Sequence, residues 1–188
     1  MKKTHYFIAV PIADEVKKQI ADWKEGIAAT FPFRTWVHQQ DYHITLAFLG
    51  YVPPAKIEEL CQMIRQVAKR HAPFALSLSE IQMFGNRTAP RILWQGVEKE
   101  EKLFALQRDV YAACTAIGFS LEKRPFTPHI TIARKWQGNE GFQLRDLQMK
   151  PRVSATFPVG QIVLYQTHLD RTPKYEALAL FPLSKDNV

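Results

Sequence analysis

Apolar side chains recur at three- and four-residue steps in three stretches of the chain, and each stretch reads as an amphipathic helix. Between residues 14 and 28 the stripe is Val16, Ile20, Trp23 and Ile27. From 54 to 71 it runs through Ile57, Leu60, Cys61, Ile64, Val67 and Ala68. From 100 to 117 it is Leu103, Leu106, Val110, Cys114 and Ile117, with Gly118 as a stop. A one-sided stripe needs one apolar partner, so these helices are expected to cover one face of a sheet.

The remaining apolar runs have the period of two that belongs to strands. The first places Tyr6, Ile8 and Val10 on one face and Phe7 and Ala9 on the other, and with both faces apolar it is expected inside the fold. Further strands are predicted at 43–49, 74–78, 91–96, 129–133, 153–157, 161–167 and 175–180. This mixture lacks the regular strand–helix alternation of a doubly wound sheet, which favours an α+β arrangement. Pro/Gly punctuation falls at 50–54, 85–90, 125–128 and 171–173 without forming a long linker, so residues 1–188 are read as one domain.

Inside that pattern the chain echoes itself. DYHITLAFLG at 41–50 resembles TPHITIARKW at 127–136, and each copy sets His, Ile, Thr and another aliphatic residue in succession. Beyond each copy an apolar run ends near Phe84 or Leu164, and a Pro-basic pair opens another strand, at Pro90–Arg91 or Pro173–Lys174. The echo predicts two related lobes facing each other across a cleft, a common place for a binding site.

Strand periodicity then assigns faces. His43 and Thr45 point one way while Ile44 and Leu46 point the other, and His129 and Thr131 do the same opposite Ile130 and Ile132. Each strand buries its aliphatic pair and presents imidazole and hydroxyl to the cleft. Imidazole titrates near 6.5, so a pair of them supplies both a base and an acid near neutral pH. A cyclic phosphodiester is opened when water attacks phosphorus and a ring oxygen leaves, which calls for one proton acceptor and one proton donor. Threonine hydroxyls donate to the non-bridging oxygens without adding charge. Locally the two histidines are equivalent, so the residues alone do not say which is acid and which is base.

Charge and composition narrow the partner. The net charge is +7, from 25 Lys and Arg against 18 Asp and Glu, which suits a polyanion such as RNA. The basic residues are dispersed, so a local phosphate pocket is expected rather than a charged tract. Lys2 and Lys3 precede an apolar run that Pro11, Asp14 and Glu15 end too soon for a membrane span, and no cleavage signal follows. A cytoplasmic protein with no membrane partner is therefore expected. Cys61 and Cys114 fall in helix stripes without a CxxC pair and read as reduced packing residues. His5, His38, His71 and His168 sit at element ends or in polar connections and read as structural. With no HExxH, no GxxxxGK[ST] and no GxGxxG, no metal, nucleotide cofactor or ATP is expected.

Together these features resemble the bacterial and archaeal RNA 2',3'-cyclic phosphodiesterases, historically called 2'-5' RNA ligases, of the two-histidine (2H) phosphoesterase superfamily. The resemblance rests on HITL at 43–46 and HITI at 129–132, the two HxTx motifs, with FIAVPI at 7–12, FLG at 48–50 and PFTPHITIAR at 125–134. It implies a bilobal fold, two pseudo-symmetric lobes whose antiparallel sheets face a central cleft with helices outside. It also implies His43 as proton donor, His129 as proton acceptor, Thr45 and Thr131 on the phosphate, and a 2'-phosphomonoester product. Arg134, just past the second motif, is the implied cationic helper, with a surface carboxylate as its alternative partner. The first copy departs here, since Phe48 stands where Arg134 would match.

Other candidates come from the residues themselves. Arg124, Lys123, Arg34 and Arg91 read as surface residues. For a stacked base, Trp36, Tyr42, Phe84 and Phe126 lie near motifs or turns, and Phe126 is the first choice, with core packing as its alternative. Phe48 shares parity with Ile44 and Leu46 and is expected in the core. The expected partner is RNA ending in a 2',3'-cyclic phosphate, bound by a monomer, with reversible 2'-5' ligation available to the same acid and base. Rival readings are a phosphodiesterase for a small cyclic nucleotide or an ADP-ribose cyclic phosphate, and a non-catalytic RNA-binding module.

Overall fold

The computed structural model describes residues 4–184; residues 1–3, which include Lys2 and Lys3, and 185–188 lie outside the described residues. The three helical stripes form α1 (Asp14–Ile27), α2 (Pro54–Ala68) and α3 (Glu101–Ala116). Proline at the first turn of α2 costs no hydrogen bond there, and the Glu100 side chain caps α3 by accepting from Lys102 N at 3.0 Å. Gly118, at φ 93°, takes the left-handed conformation that ends α3. The predicted end of α2 at 71 moves back to Ala68, and His71 beyond it bonds Asp109 of α3 at 2.8 Å. A short helix, α4 (Leu144–Gln148), carries too few turns to show periodicity in the sequence.

Among the described residues nine strands accompany the helices: β1 (His5–Pro11), β2 (Phe33–Trp36), β3 (His43–Tyr51), β4 (Phe74–Asn86), β5 (Ala89–Val97), β6 (His129–Trp136), β7 (Thr156–Val159), β8 (Gln161–Thr167) and β9 (Tyr175–Pro182). β2, only four residues long, was not legible in the pattern. The strand expected at 153–157 lies later, at β7. β4 runs well past 78, because an extra residue between Leu78 and Ile81 bulges its pairing with β5 and the ladder resumes through Ile81–Phe84 beyond.

Every pairing is antiparallel, in the order β7-β4-β5-β6-β3-β1-β8-β9, with β2 added beside β6. The order contains two four-strand halves, β7-β4-β5-β6 and β3-β1-β8-β9. The two expected lobes are thus two antiparallel halves fused edge to edge, and the α+β reading stands. Among the described residues the central strands pair at Ile44 with Ile130, the second residues of the two motifs. Both isoleucines are fully buried, in a core that also holds Ile8, Val10, Leu103, Leu106 and Leu164.

One expectation about this sheet was wrong. Along β3, Ile8 pairs with Ala47 but Ala9 pairs with Thr45, so Leu46 is an extra residue. Along β6, Leu93 pairs with Ala133 but Trp94 pairs with Thr131, which makes Ile132 the matching extra residue. Each bulge shifts the alternation by one position. Phe48 therefore leaves the core and is 54% exposed, and the same shift turns Arg134 out to solvent. Simple parity failed because both copies of the motif carry a bulge at their fourth residue.

Replacing Ile130 with Ala should cost about 2–5 kcal/mol of stability, the range for emptying a closed aliphatic site. A denaturant midpoint close to that of the parent protein would show that the seam between the halves is not packed as described.

Candidate active site

Continuing the Ile44–Ile130 register one residue to either side sets His43 across from Thr131 and Thr45 across from His129. With the two isoleucines buried on one face, both histidines and both threonines share the other. His43 and His129 are then diagonal neighbours across an antiparallel pair, a relation that separates side-chain origins by about 7–8 Å. That gap admits one tetrahedral anion between the rings.

Each ring is aimed by the same device. His43 Nδ1 lies 2.7 Å from the Asp41 carbonyl, and His129 Nδ1 lies 2.6 Å from the Thr127 carbonyl, in both cases two residues back along the chain. A carbonyl only accepts, so Nδ1 carries the proton and donates it, leaving Nε2 with its lone pair. At His43 that lone pair accepts from the Thr45 hydroxyl at 3.0 Å.

Asp41 also ties the site to a distant strand. Its carboxylate is 5% exposed and accepts from Lys174 N at 2.9 and 3.0 Å and from Tyr175 N at 3.1 Å. The Tyr175 ring stands edge-on to His43 at 5.1 Å, Phe7 lies 4.7 Å away, and Tyr165 stacks on Phe7. On the other side, Phe84 and Trp94 flank His129 at 5.0 and 5.7 Å. The two imidazoles thus sit in different aromatic surroundings although their local sequences match.

These surroundings set the charge. Burial pushes the His43 imidazole down to about 4; the Asp41 carbonyl opposes this, and the His129 and Arg134 charges add to it. His129 is lowered as well, first by burial and then by Arg134, against the Thr127 carbonyl. Both rings are therefore neutral at pH 7 in the free protein. Arg134, whose guanidinium acts on both histidines and on the Tyr175 phenol, is a permanent positive charge of the site. Burial raises the Tyr175 and Tyr165 phenols, which stay protonated donors.

The structure brings together His43, Thr45, His129, Thr131 and Arg134. Phe126 packs edge-on to Phe104 of α3 at 5.4 Å, and among the described residues it is not one of the rings that touch either imidazole. Trp36 packs on Phe33, and Tyr42 is buried, while Phe84 alone of the four aromatic candidates reaches a histidine. The remaining histidines have structural partners. His38 accepts from Gln40 N, His5 meets Phe48, and His168 bonds Glu176 at 2.7 Å. Arg124 pairs with Glu122 at 3.0 Å. Missed from the sequence were Asp41, Phe7, Trp94, Tyr165 and Tyr175. The one available signal was the position of Asp41, two residues before a motif histidine, where a polar residue meets a strand start.

The sequence profile of the 2'-5' RNA ligase superfamily matches residues 12–171. The chain belongs to that superfamily. It is 36% identical over 182 residues to the RNA 2',3'-cyclic phosphodiesterase of Bacillus subtilis, an alignment covering 97% of this chain and 98% of the relative. It is 56% identical over 183 residues to the RNA 2',3'-cyclic phosphodiesterase of Geobacillus stearothermophilus, spanning 97% of this chain but only 58% of that relative's length. Escherichia coli LigT, in a crystal structure complexed with 3'-AMP, superposes with a TM-score of 0.81 at 24% identity, covering 98% of this chain and 100% of LigT. That likeness shows that the superfamily member shares the LigT fold. The two-histidine phosphoesterase architecture expected from the motifs is thus the one observed.

Two measurements follow. The His43 ring resists a proton that an unfolded chain accepts near 6.5. Its contribution to stability is therefore complete above about pH 6.5 and is lost as the pH falls toward 4. An NMR titration should place the His43 midpoint about 4 in the free protein and higher with inorganic phosphate present; a free midpoint near 6.5 contradicts the buried setting. Replacing Asp41 with Ala leaves two backbone N–H groups without their carboxylate and should cost about 1–3 kcal/mol for each left buried and unmet. An unchanged thermal midpoint would rule out the tether.

Proposed function

We propose that this protein hydrolyses RNA 2',3'-cyclic phosphate ends to 2'-phosphomonoesters. The observation that carries the reading is the pair of imidazoles, each held through Nδ1 by a carbonyl two residues back, which turns both Nε2 atoms to a shared face, that of His43 toward Thr45. The B. subtilis and G. stearothermophilus relatives bear the name of this activity. With the cyclic phosphate between the rings, His129 Nε2 accepts the proton of the attacking water. The P–O3' bond breaks, and His43 Nε2 protonates the departing oxygen. Thr45 and Thr131 donate to the non-bridging oxygens, and Arg134 holds their charge.

Protonating His43 is the step that a buried, neutral ring resists. The entering phosphate anion removes that resistance, because a negative charge against an imidazole raises its affinity for a proton. Substrate binding and acid charging are thereby one event. His129 takes the proton of the attacking water, and the proton that His43 gives to O3' is one it takes up from solvent as the phosphate binds. All of them come from one chain, which supports a monomer, and an intracellular RNA substrate with two free thiols at Cys61 and Cys114 suits the cytoplasm. Microscopic reversibility gives the same acid and base a 2'-5' ligation.

Incubation with RNA ending in a 2',3'-cyclic phosphate should yield a 2'-monoester, distinguished from the 3' isomer by chromatography. His43→Ala and His129→Ala should each lower turnover by about 10²–10⁴-fold with the circular dichroism of the parent. Near-normal turnover in both variants would remove the mechanism. Salt-sensitive RNA retention without monoester would identify a binding module instead. A preference of more than about tenfold for a small cyclic nucleotide or an ADP-ribose cyclic phosphate would replace RNA as the substrate.

A further inference from the structure

Arg134 stands between two neighbouring strands, paired with Thr35 of β2 on one side and with Ile92 of β5 on the other. Arg34, Lys135 and Arg91 are chain neighbours of these three residues, and all are exposed. Arg34 falls opposite Lys135, between the Phe33–Trp136 and Thr35–Arg134 pairs. Adjacent strands lie about 4.8 Å apart, so four cations are gathered across about 10 Å of sheet. Residues dispersed along the sequence form one patch in the fold.

Their charge is not neutralised locally. β2, β5 and β6 contain no Asp or Glu. Among the described residues Arg34, Arg91 and Lys135 take part in no ion pair. The groove of about 490 Å³ beside His129, toward the other end of β5, differs in this respect. There Glu80 and Glu98 offset Lys99 and Arg152, which leaves no surplus cation. Lys135 also has an unusual backbone, with a φ of 60° in the left-handed region that residues other than glycine rarely enter. Consecutive strand residues ordinarily alternate between faces, and here both Arg134 and Lys135 reach solvent. Arg87, exposed in the turn between β4 and β5, continues the charge away from the histidines.

From these features we infer that Arg34, Arg91 and Lys135 form a track for the phosphodiester backbone of the RNA strand leading up to the reacting end. The inference rests on the RNA substrate proposed above and adds a surface outside the catalytic groups. Arg134 meets the terminal phosphate, and the three outer cations meet phosphates upstream of it. Cationic side chains on a backbone position a strand without reading its bases, so the track accepts any sequence. A mononucleotide has no upstream phosphate and gains nothing from it.

The test is binding of a fluorescein-labelled octaribonucleotide ending in a 2'-phosphate to the whole chain, read by anisotropy between about 50 and 200 mM salt. Each phosphate contact to a single strand contributes about 0.7 to the slope of log Kd against log salt. The combined variant Arg34→Gln, Arg91→Gln, Lys135→Gln should therefore flatten that slope by about 2 and weaken binding at the low-salt end about tenfold or more. Its affinity for 2'-AMP should stay within about twofold of the parent. A control that removes equal charge from exposed positions on the helical side, Arg65→Gln, Lys69→Gln, Arg108→Gln, should leave the octamer slope unchanged. Where the combined variant folds poorly, Arg34→Gln and Arg91→Gln alone should each flatten the slope by about 0.7. An unchanged slope in the track variants overturns the inference. So does an equal loss in the helical control, which would mark diffuse attraction by net charge, or an equal loss for 2'-AMP, which would place the effect at Arg134. Binding needs no turnover, so a parent that shows this slope but forms no monoester strikes the hydrolytic reading and leaves the track standing.

Discussion

Everything in this site depends on one backbone pairing, Ile44 with Ile130, where two four-strand halves meet. Strand side chains alternate, so burying these two isoleucines commits their neighbours on both strands to the opposite face. Two imidazoles and two hydroxyls arrive there with no further instruction. A slip of one residue at the seam would put histidines into the core and isoleucines into water, and hydrophobic burial forbids it. The energy that sets the active-site geometry is thus ordinary core packing, drawn from Leu103, Leu106, Ile8 and the aliphatic members of both motifs.

What the seam leaves open is ring orientation, and the backbone supplies it. Carbonyls at Asp41 and Thr127 each take an Nδ1 proton, which selects the tautomer and aims Nε2. Burial then keeps the rings neutral. This combination has a cost for the acid, since a neutral imidazole has no proton to give at Nε2. It also has a use: a ring that charges only beside an anion is not held charged in an empty site next to Arg134. Desolvation and phosphate binding act on the same equilibrium with opposite sign, and Arg134 keeps the site attractive to anions while the imidazoles wait.

The sequence carried the motifs, the faces, the helices and the two-lobe plan, because each of these follows from short-range periodicity. It misplaced Phe48, since a bulge after Thr45 reverses parity and no residue type announces it. The same bulge after Thr131 brought Arg134 round with the motif, so a position chosen by resemblance had a geometric reason that the sequence hid. Tyr175 and Tyr165 were invisible for a different cause. Both reach His43 from the far end of the chain, Tyr175 beside Asp41 bonds that span more than 130 residues and Tyr165 through its stack on Phe7. Phe126 was the preferred aromatic because it lies near His129 in sequence, and in the fold its ring packs on Phe104 of α3.

The echo in the chain suggests two equal histidines, and the fold makes them unequal. His43 sits under Phe7, Tyr165 and Tyr175 with its lone pair already bonded to Thr45, whereas His129 borders a groove through Trp94 and Thr127. Proton donor and proton acceptor need different settings, because one must hold a proton against the departure of an oxygen and the other must take one from an incoming hydroxyl. A closed aromatic setting suits the ring proposed as the proton donor. An open groove suits the ring that meets the nucleophile. The difference between the two proposed roles therefore resides in what the two halves pack around their shared motif, and not in the motif itself.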